Sequence, residues 1–273
     1  MSIVWSVTTG VAASAIFALI ISLGSYLLGR GRYRRVWRID SHRGATVRVV
    51  AGTVGTPLME LGYRHATTAG TDAVAIGNLC SALTLAYRSR YKFTAACSVA
   101  FHDSFWDDPL VLVGGQVRNI ATRDALAQAK ARGFQFPYHV NDVGVEKRHI
   151  IDAGSGEQFE SRVVGERMVE DYGLIYCMPS PFNPSQRSPI FIFYGLHAFG
   201  TVGVSRLVTS EYVREFMKTR IAPSSRWFQV LVRVHVRDED TFPEVVGARE
   251  IVVPPDLFHQ RARPLFGSFL RGG

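Results

Sequence analysis

The N-terminus of this chain places an uncharged apolar run directly before a cluster of arginines. Residues 1–29 carry no charged side chain, and five arginines occupy the next nine positions. The run is long enough to cross a bilayer, whose hydrocarbon core of about 30 Å requires about 20 helical residues. Arginines beside a membrane span stay on the cytoplasmic side. The sequence therefore predicts a single-pass anchor in the cell membrane over residues 1–29, with its N-terminus outside and the remaining chain cytoplasmic.

Two other interpretations of the apolar run fit the sequence less well. A secretory signal peptide carries its basic residues before a short apolar stretch, whereas here they follow a long one. A buried core helix normally keeps one polar edge, which this run lacks. Small residues in the run, such as Gly10 and Gly24, allow close helix packing in a membrane, so we also expect a homo-oligomer.

Positive charge is concentrated in the basic connector that follows the run, residues 30–44. The chain has a net charge of +8, and five of its positive charges are the arginines within residues 30–38. Such arginines face anionic lipid headgroups, so residues 1–38 are predicted to contact membrane lipid. The other basic residues are scattered and form no basic patch, which argues against nucleic acid as a partner.

The cysteines give no indication of a metal centre. Cys80, Cys97 and Cys177 show no zinc-type spacing with each other or with histidine. Their neighbours in the sequence are apolar, which predicts buried free thiols in a reducing compartment. We therefore expect no metal site.

Residues 45–257 are predicted to form one cytoplasmic α/β domain. Short apolar runs alternate with segments of helical periodicity, which is typical of buried parallel strands joined by helices. The pattern predicts a Rossmann-like mixed, mainly parallel sheet with helices on both faces. The predicted helices in its first half are residues 79–91 and 122–132, the second capped by Thr122 and ended by Gly133. The predicted strands there are residues 45–51, 72–76, 93–100 and 110–113.

The middle and end of the domain depart from this alternation. Residues 145–152 and 158–164 flank the turn AGSGE, which predicts a hairpin within an excursion over residues 138–168. Residues 227–236 alternate between polar and apolar types, which predicts a half-exposed strand near a sheet edge. Residues 258–273 are predicted to be a basic tail. The remaining predicted elements are strands 172–178, 190–194 and 250–253 and helix 210–220.

Three junctions share one design, in which an apolar strand is followed by glycine, a polar side chain and a helix. They begin at Gly77, at Gly114 and at Gly195. In an open parallel sheet the carboxyl ends of the strands meet at one edge, where ligands bind. Glycine admits a ligand close to the backbone, and a helix N-terminus offers N–H groups to an anion. The segments GGQVRN and GLHAFGTVG lack the P-loop and GxGxxG patterns, so any cofactor stays unidentified. The predicted ligand-binding residues are Gly77, Asn78, Gly114, Gly115, Arg118, Asn119, Gly195, Gly200 and Thr201.

Catalytic candidates are fewer and form no recognised set. His197 is the most informative titratable residue, because imidazole exchanges protons near neutral pH. Glu170 and Asp171 precede a strand and are the carboxylates that a hydrolase could use with it. Asp72 and Asp103 are further acceptors for sugar hydroxyls. No GxSxG elbow or HExxH motif is present, so the sequence favours a protein that binds a ligand without transforming it.

At the GGQVRN and GLHAFGTVG junctions the chain resembles Rossmann-type nucleotide-sensing domains of the SLOG superfamily, over roughly residues 45–208. The resemblance lies in the architecture and in the turns that contain glycine and asparagine. Domains of this kind occur in bacterial conflict and antiphage systems, sometimes fused to membrane helices. The resemblance implies a membrane-anchored receptor for a nucleotide-derived signal, which acts as an antiphage defence effector at the membrane.

Two alternatives stay open from the sequence. The first is a membrane-tethered hydrolase of a nucleotide or of a glycosidic bond, with His197 and Asp171 in catalytic roles. The second is a non-catalytic scaffold that uses the α/β domain to bind another protein.

Overall fold

The computed structural model describes most of residues 45–259 and four residues of the basic connector. The apolar run 1–29 and almost all of the tail 258–273 lie outside the described residues. In the described part of the chain, no helix is both long enough and apolar enough to span a membrane. The described residues are Arg34, Val36, Trp37 and Ile39 and residues 45–52, 70–87, 90–141, 148–183, 188–209, 211–218 and 226–259.

The described residues contain eleven strands, which are β1 (Thr46–Ala51), β2 (Lys92–Cys97), β3 (Leu110–Val113), β4 (Tyr138–Asn141), β5 (His149–Asp152), β6 (Gln158–Glu160), β7 (Arg162–Val164), β8 (Arg167–Pro179), β9 (Pro189–Gly195), β10 (Phe228–Arg237) and β11 (Asp240–Glu250). Eight of them form a central sheet in the order β11-β10-β8-β9-β3-β1-β2, with β7 paired to β8. The sheet is mixed, and its parallel part consists of the neighbouring strands β2, β1, β3 and β9. Antiparallel pairs join β9, β8, β10 and β11.

The strands at the centre of the sheet are continuous apolar runs. β3 has the sequence LVLV and β9 the sequence PIFIFYG, and every residue of both strands is buried. A strand covered on both faces has no need to alternate polar and apolar residues. The sequence identifies these strands correctly because each run is short and ends at glycine.

Helices cover both faces of the central sheet. The main helices are α1 (Gly70–Tyr87), α2 (Ile120–Ala131), α3 (Ala198–Arg206) and α4 (Val213–Lys218). α1 packs on α3, and a Cβ atom at Gly173 of β8 would collide with Val204 of α3. Tyr176 lies three residues further along β8 and therefore faces the opposite side of the sheet. There it lines a cavity together with Leu126 of α2.

The predicted cap of α2 is wrong by three residues. Asn119 is the N-cap, and its Oδ1 atom accepts a hydrogen bond from the backbone N–H of Thr122 at 3.2 Å. Asparagine is a better N-cap than threonine because its carbonyl oxygen reaches the third residue of the helix. The predicted end is confirmed, since Gly133 has a positive φ of 81° and its N–H bonds to Lys130 O at 3.0 Å.

The predicted hairpin is present within a larger sheet. β5 and β6 pair antiparallel across the AGSGE turn, and β4 pairs with the other edge of β5. β7 pairs with β8 of the central sheet and is not part of the hairpin. The Asp152 carboxylate accepts two hydrogen bonds from the Arg249 guanidinium, at 2.7 and 2.6 Å, which joins the small sheet to β11.

The prediction for residues 227–236 is right in position and in its nearness to a sheet edge, and wrong in exposure. β10 lies between β8 and β11, and its Gln229 side chain is completely buried. Gln229 Oε1 accepts from Tyr138 N at 2.9 Å, and Gln229 Nε2 donates to Tyr138 O at 3.0 Å. The polar residue therefore bonds to the second sheet and not to water. The edge strand is β11, which the sequence does not reveal because Pro243 and exposed charges give it the composition of a loop.

The predicted strand 72–76 is wrong, because these residues lie in the first turns of α1. The run DAVAI is apolar and short, and periodicity alone cannot distinguish such a run from a buried helix. The predicted strand 250–253 is also not an independent element. Only Glu250 belongs to a strand, β11, while Val252 forms an isolated bridge with Gln135.

The described part of the basic connector packs against the domain. Arg34, Val36 and Trp37 are helical, and the Trp37 ring contacts Phe191 and Phe193 of β9 at centroid distances of 5.0 and 5.9 Å. Trp37 is completely buried.

Hydrogen bonds also join the connector to the end of α1. Arg34 Nε donates to Ala86 O at 3.0 Å, and the Tyr87 hydroxyl accepts from Ile39 N at 3.0 Å. Tyr91 completes the contact by donating from its hydroxyl to Ile39 O at 3.1 Å. The connector therefore contributes to the hydrophobic core, and α1 reaches from this contact to the opposite edge of the sheet.

Candidate functional site

A cleft with a volume of about 240 Å³ lies at the carboxyl ends of β3 and β9, beside the N-terminus of α1. Five of the predicted ligand-binding residues and the catalytic candidate His197 line it. The five are Gly114, Gly115, Arg118, Gly195 and Thr201. Two of the three predicted junctions therefore meet at one site, as expected for neighbouring parallel strands.

The topology of the sheet favours a ligand at this edge. β1 lies between β2 and β3. The chain therefore passes from β1 to β2 on one side and later enters β3 on the other side of β1. In open α/β sheets, ligands bind outside the carboxyl ends of the strands at such a reversal. The cleft adjoins this reversal because β3, one of its two strands, is the direct neighbour of β1.

The loop between β3 and α2 forms one wall of the cleft. Gly114 adopts a positive φ of 94°, a conformation that glycine adopts without strain. Gly115 packs on Tyr194, and a Cβ atom there would lie 2.8 Å from the ring. Arg118 is exposed at the mouth of the cleft. These glycines therefore let the loop turn tightly and bring Arg118 to the opening.

Asn119, predicted as a ligand contact, instead holds the sheet and α2 together. Its side chain is completely buried, and Nδ2 donates to Val50 O at 3.0 Å and to Val113 O at 2.9 Å. Its Oδ1 caps α2, as described above. Every polar group of this side chain is thus engaged with the backbone.

The turn between β9 and α3 forms the second wall. A Cβ atom at Gly195 would lie 2.5 Å from the backbone of both His197 and Gly200, so any larger residue would displace α3. The Gly200 N–H donates to Asp171 Oδ2 at 2.5 Å. Gly200 is buried and does not line the cleft, so its role is to let α3 approach the sheet and not to contact a ligand.

Asp171 caps α3 from the neighbouring strand β8. It is completely buried, and its Oδ1 atom accepts from Ser161 Oγ at 2.7 Å and from Tyr172 N at 2.8 Å. Burial raises the pKa of Asp171, while the hydrogen bonds from Ser161, Tyr172 and Gly200 oppose that shift. The carboxylate is thus occupied in holding the turn that presents His197, and it does not line the cleft.

Glu170 lies on the opposite face of β8 from Asp171. It accepts a hydrogen bond from the Tyr172 hydroxyl at 2.9 Å and pairs with Arg233 at 3.7 Å and His235 at 3.8 Å. Adjacent residues of a strand point to opposite faces, so the two acids cannot share a site. Of the three catalytic candidates, His197 alone reaches the cleft.

The third predicted junction does not form, because Gly77 and Asn78 lie within α1. Asn78 Nδ2 donates to Ser205 Oγ at 3.0 Å and so joins α1 to α3. Gly77 is exposed, and a Cβ atom there would meet no heavy atom within 4 Å. Neither residue lines the cleft.

Asp72, which the sequence predicts as an acceptor for sugar hydroxyls, also lines the cleft. It lies in the first turn of α1, yet it is only 5% exposed. Burial raises the pKa of Asp72, and the positive charge of Arg118 opposes this shift. The sequence places Asp72 in a strand over residues 72–76, so its position at a helix N-terminus is not predicted.

The cleft combines positive side chains with the N-termini of two helices. Arg118 and Arg148 line it, and Arg148 is held by a hydrogen bond from Nη1 to Leu196 O at 3.3 Å. Thr71 at the start of α1 and Ala198 at the start of α3 also line it. Helix N-termini carry a partial positive charge that favours anions. Within the described residues, no group of three or more acidic, histidine or cysteine side chains is placed to hold a metal ion.

Comparisons with protein-family models, with curated proteins and with solved structures find no match to this chain. The resemblance to SLOG domains therefore stays a prediction, and function is argued from the cleft itself.

The substitution Gly77→Ala tests the assignment of Gly77 to an exposed face of α1, in contrast to glycines at close packing contacts. It is expected to raise the free energy of unfolding by about 0.5–1 kcal/mol, because alanine is the better helix former and the position has free space. Urea unfolding followed by circular dichroism measures the change. Gly200→Ala is the matched opposite, since its Cβ atom would overlap Tyr172 O. Destabilisation by Gly77→Ala would contradict this assignment.

Proposed function

We propose that this chain is a membrane-anchored receptor for a nucleotide or a nucleotide derivative, which binds in the cleft. The observation that carries the proposal is the meeting of Arg118, Arg148 and two helix N-termini at the carboxyl edge of a parallel sheet. Phosphate groups are the anions that such an edge commonly accepts.

The size and composition of the cleft favour a small polar ligand. Its volume of about 240 Å³ is slightly below the roughly 300–1,000 Å³ typical of sites for drug-sized ligands. Arg118 is exposed at the mouth, where its weakly hydrated guanidinium can reach a phosphate. Thr201 supplies a hydroxyl close to the start of α3. A mononucleotide-sized anion matches these properties.

The predicted anchor gives this receptor its location. We propose that residues 1–29 cross the cell membrane once and that residues 30–38 contact lipid headgroups, which leaves the α/β domain in the cytoplasm. The packing of Trp37 on β9 supports a close connection, because a domain whose core includes the connector is held directly at the membrane. An antiphage effector that oligomerises and acts on the membrane is consistent with that arrangement.

A hydrolase is a weaker proposal for the same cleft. His197 lines it, but Asp171 is occupied as the cap of α3 and Glu170 faces the other side of β8. A hydrolase would therefore need Asp72 as its carboxylate. The scaffold alternative makes no use of the converging positive groups.

Ligand binding is tested with the full chain in detergent micelles by thermal shift and isothermal titration calorimetry. The probes are adenosine, guanosine, cytidine and uridine 5′-monophosphates, 5′-triphosphates and 3′,5′-cyclic monophosphates. We expect at least one to raise the melting temperature, because a ligand of the native state stabilises it. Arg118→Ala should weaken that ligand roughly tenfold or more, since hydrogen bonds to charged groups contribute about 1.5–3 kcal/mol.

Arg123→Ala is the matched control, because Arg123 is an exposed arginine of α2 outside the cleft and pairs with Asp124. Its affinity should stay within about twofold of the unsubstituted protein. Equal losses in the two variants would show only a general charge effect. The absence of binding by every probe would overturn the proposal, and release of free base or phosphate would favour the hydrolase.

A further inference from the structure

The Asp72 carboxylate is buried in the cleft without a hydrogen-bond partner in the part of the chain that the structure describes. It is 95% buried, since only 5% of the residue is exposed, and it lines the cleft from the first turn of α1. The one interaction the structure gives it is electrostatic, from Arg118. Its oxygens keep contact with the cleft, so a donor group on a bound ligand can pair with them.

The position of Asp72 indicates which part of a ligand it faces. A Cβ atom on Gly114 would lie 3.6 Å from Asp72 Oδ2, so the carboxylate borders the glycine turn of the β3–α2 loop. Burial raises the pKa of Asp72, and Arg118 lies close enough for its positive charge to oppose that shift. The acceptor and the phosphate-binding groups therefore share one region of the cleft. In a nucleotide, the group attached directly to the phosphate is the sugar, and the base is one unit further away.

We propose that Asp72 accepts hydrogen bonds from the ribose hydroxyls of the bound nucleotide, so that the cleft selects ribonucleotides over deoxyribonucleotides. A carboxylate offers two oxygens and accepts from two adjacent hydroxyls at once. An aliphatic or purely phosphate ligand would leave the carboxylate unpaired. This inference rests on the proposed function, because it concerns the same ligand in the same cleft.

The test is a cycle of one protein change and one ligand change in the full chain. Asp72→Asn is combined with the nucleotide that binds best and with its 2′-deoxy counterpart and, where that nucleotide is a 5′-monophosphate or 5′-triphosphate, also with its 2′,3′-dideoxy counterpart. For the ribonucleotide, Asp72→Asn should weaken binding roughly tenfold or more, as expected for the loss of a charge-assisted hydrogen bond. For the dideoxy counterpart, the variant should bind within about twofold of the unsubstituted protein, because the interaction is already missing.

Two controls keep the result specific to the cleft. Asp103→Asn removes the same charge at an exposed position outside the cleft and should leave all affinities unchanged. The melting temperature of ligand-free Asp72→Asn should equal or exceed that of the unsubstituted protein, since the variant removes a charge that burial disfavours and that accepts no hydrogen bond from a described residue. A purely structural Asp72 would instead give a lower melting temperature and equal losses for every nucleotide.

The outcomes separate this inference from the proposed function. Nucleotide binding that depends on Arg118, combined with equal effects of Asp72→Asn on ribose and dideoxyribose ligands, would overturn the ribose contact and leave the receptor proposal intact. Failure of every nucleotide to bind would overturn both. A loss confined to ligands that carry ribose hydroxyls would establish the contact.

Discussion

Replacing Trp37 with alanine is expected to reduce the free energy of unfolding by about 3–5 kcal/mol, as for other fully buried aromatic residues. The indole packs edge-on against the Phe191 ring, with the ring centroids 5.0 Å apart. It also packs at a tilt against the Phe193 ring, with the centroids 5.9 Å apart. Both phenylalanines belong to β9, which also forms one wall of the cleft. The substitution therefore opens a cavity under a strand that the site depends on.

Trp37→Phe distinguishes lost packing from a lost hydrogen bond. Trp37 Nε1 is buried and has no hydrogen-bond partner in the described part of the chain, so phenylalanine removes an unsatisfied donor while keeping a ring. We expect this variant to retain most of the stability that alanine loses. Urea unfolding of the full chain in detergent measures the stability of all variants on one scale. The unfolding is monitored by the backbone circular dichroism, a signal that does not depend on the replaced tryptophan.

Phe242→Ala is the matched control, because Phe242 is an aromatic residue of β11 that is 38% exposed. Its loss should cost about 1 kcal/mol or less, since most surface substitutions have small effects. Similar losses for Trp37→Ala and Phe242→Ala would contradict the docking of the connector. A practical consequence is that a fragment beginning after Trp37 lacks part of its own core and should be markedly less stable.

The sequence locates the cleft because two of its strands have an unambiguous pattern. The runs before Gly114 and Gly195 are continuous, apolar and short, and parallel strands of this kind place their carboxyl ends side by side. That rule alone brings Arg118, Thr201 and His197 together. Fold class and cleft position thus follow from local patterns.

The roles of individual polar residues depend on contacts that local patterns do not contain. Asn119 looks like a ligand contact, yet it bonds to Val50 O, which lies 69 residues away in the chain. Gly200 looks like a phosphate-binding glycine, yet its N–H meets the carboxylate of Asp171 from another strand. An asparagine or glycine at a strand end either contacts a ligand or forms hydrogen bonds within the protein. Which of the two it does depends on the chain segment that packs against it, and only the tertiary structure specifies that segment.

Asp171→Ala is expected to reduce the free energy of unfolding by about 2–5 kcal/mol, because the buried N–H groups of Tyr172 and Gly200 and the hydroxyl of Ser161 lose their acceptor. A buried donor without a partner costs about 1–3 kcal/mol, and the α3 cap adds about 1 kcal/mol. The loss should be seen by chemical unfolding of the ligand-free protein. A catalytic carboxylate would instead leave stability nearly unchanged and abolish turnover.

Glu170→Ala provides a control at the adjacent position, with the same loss of a carboxylate on the opposite face of β8. Its side chain is 20% exposed, and its ion pairs with Arg233 and His235 are long, at 3.7 and 3.8 Å. Such pairs contribute about 0–1 kcal/mol, and the hydrogen bond that Glu170 accepts from the Tyr172 hydroxyl adds about 1 kcal/mol, so this variant should lose about 1–2 kcal/mol, less than Asp171→Ala loses. Equal destabilisation by the two substitutions would refute the assignment of Asp171 as the cap of α3. A large loss of stability confined to Asp171→Ala, together with weaker nucleotide binding, would show that the cleft depends on a carboxylate outside it. The reason is that Asp171 holds the turn that carries His197 and Thr201.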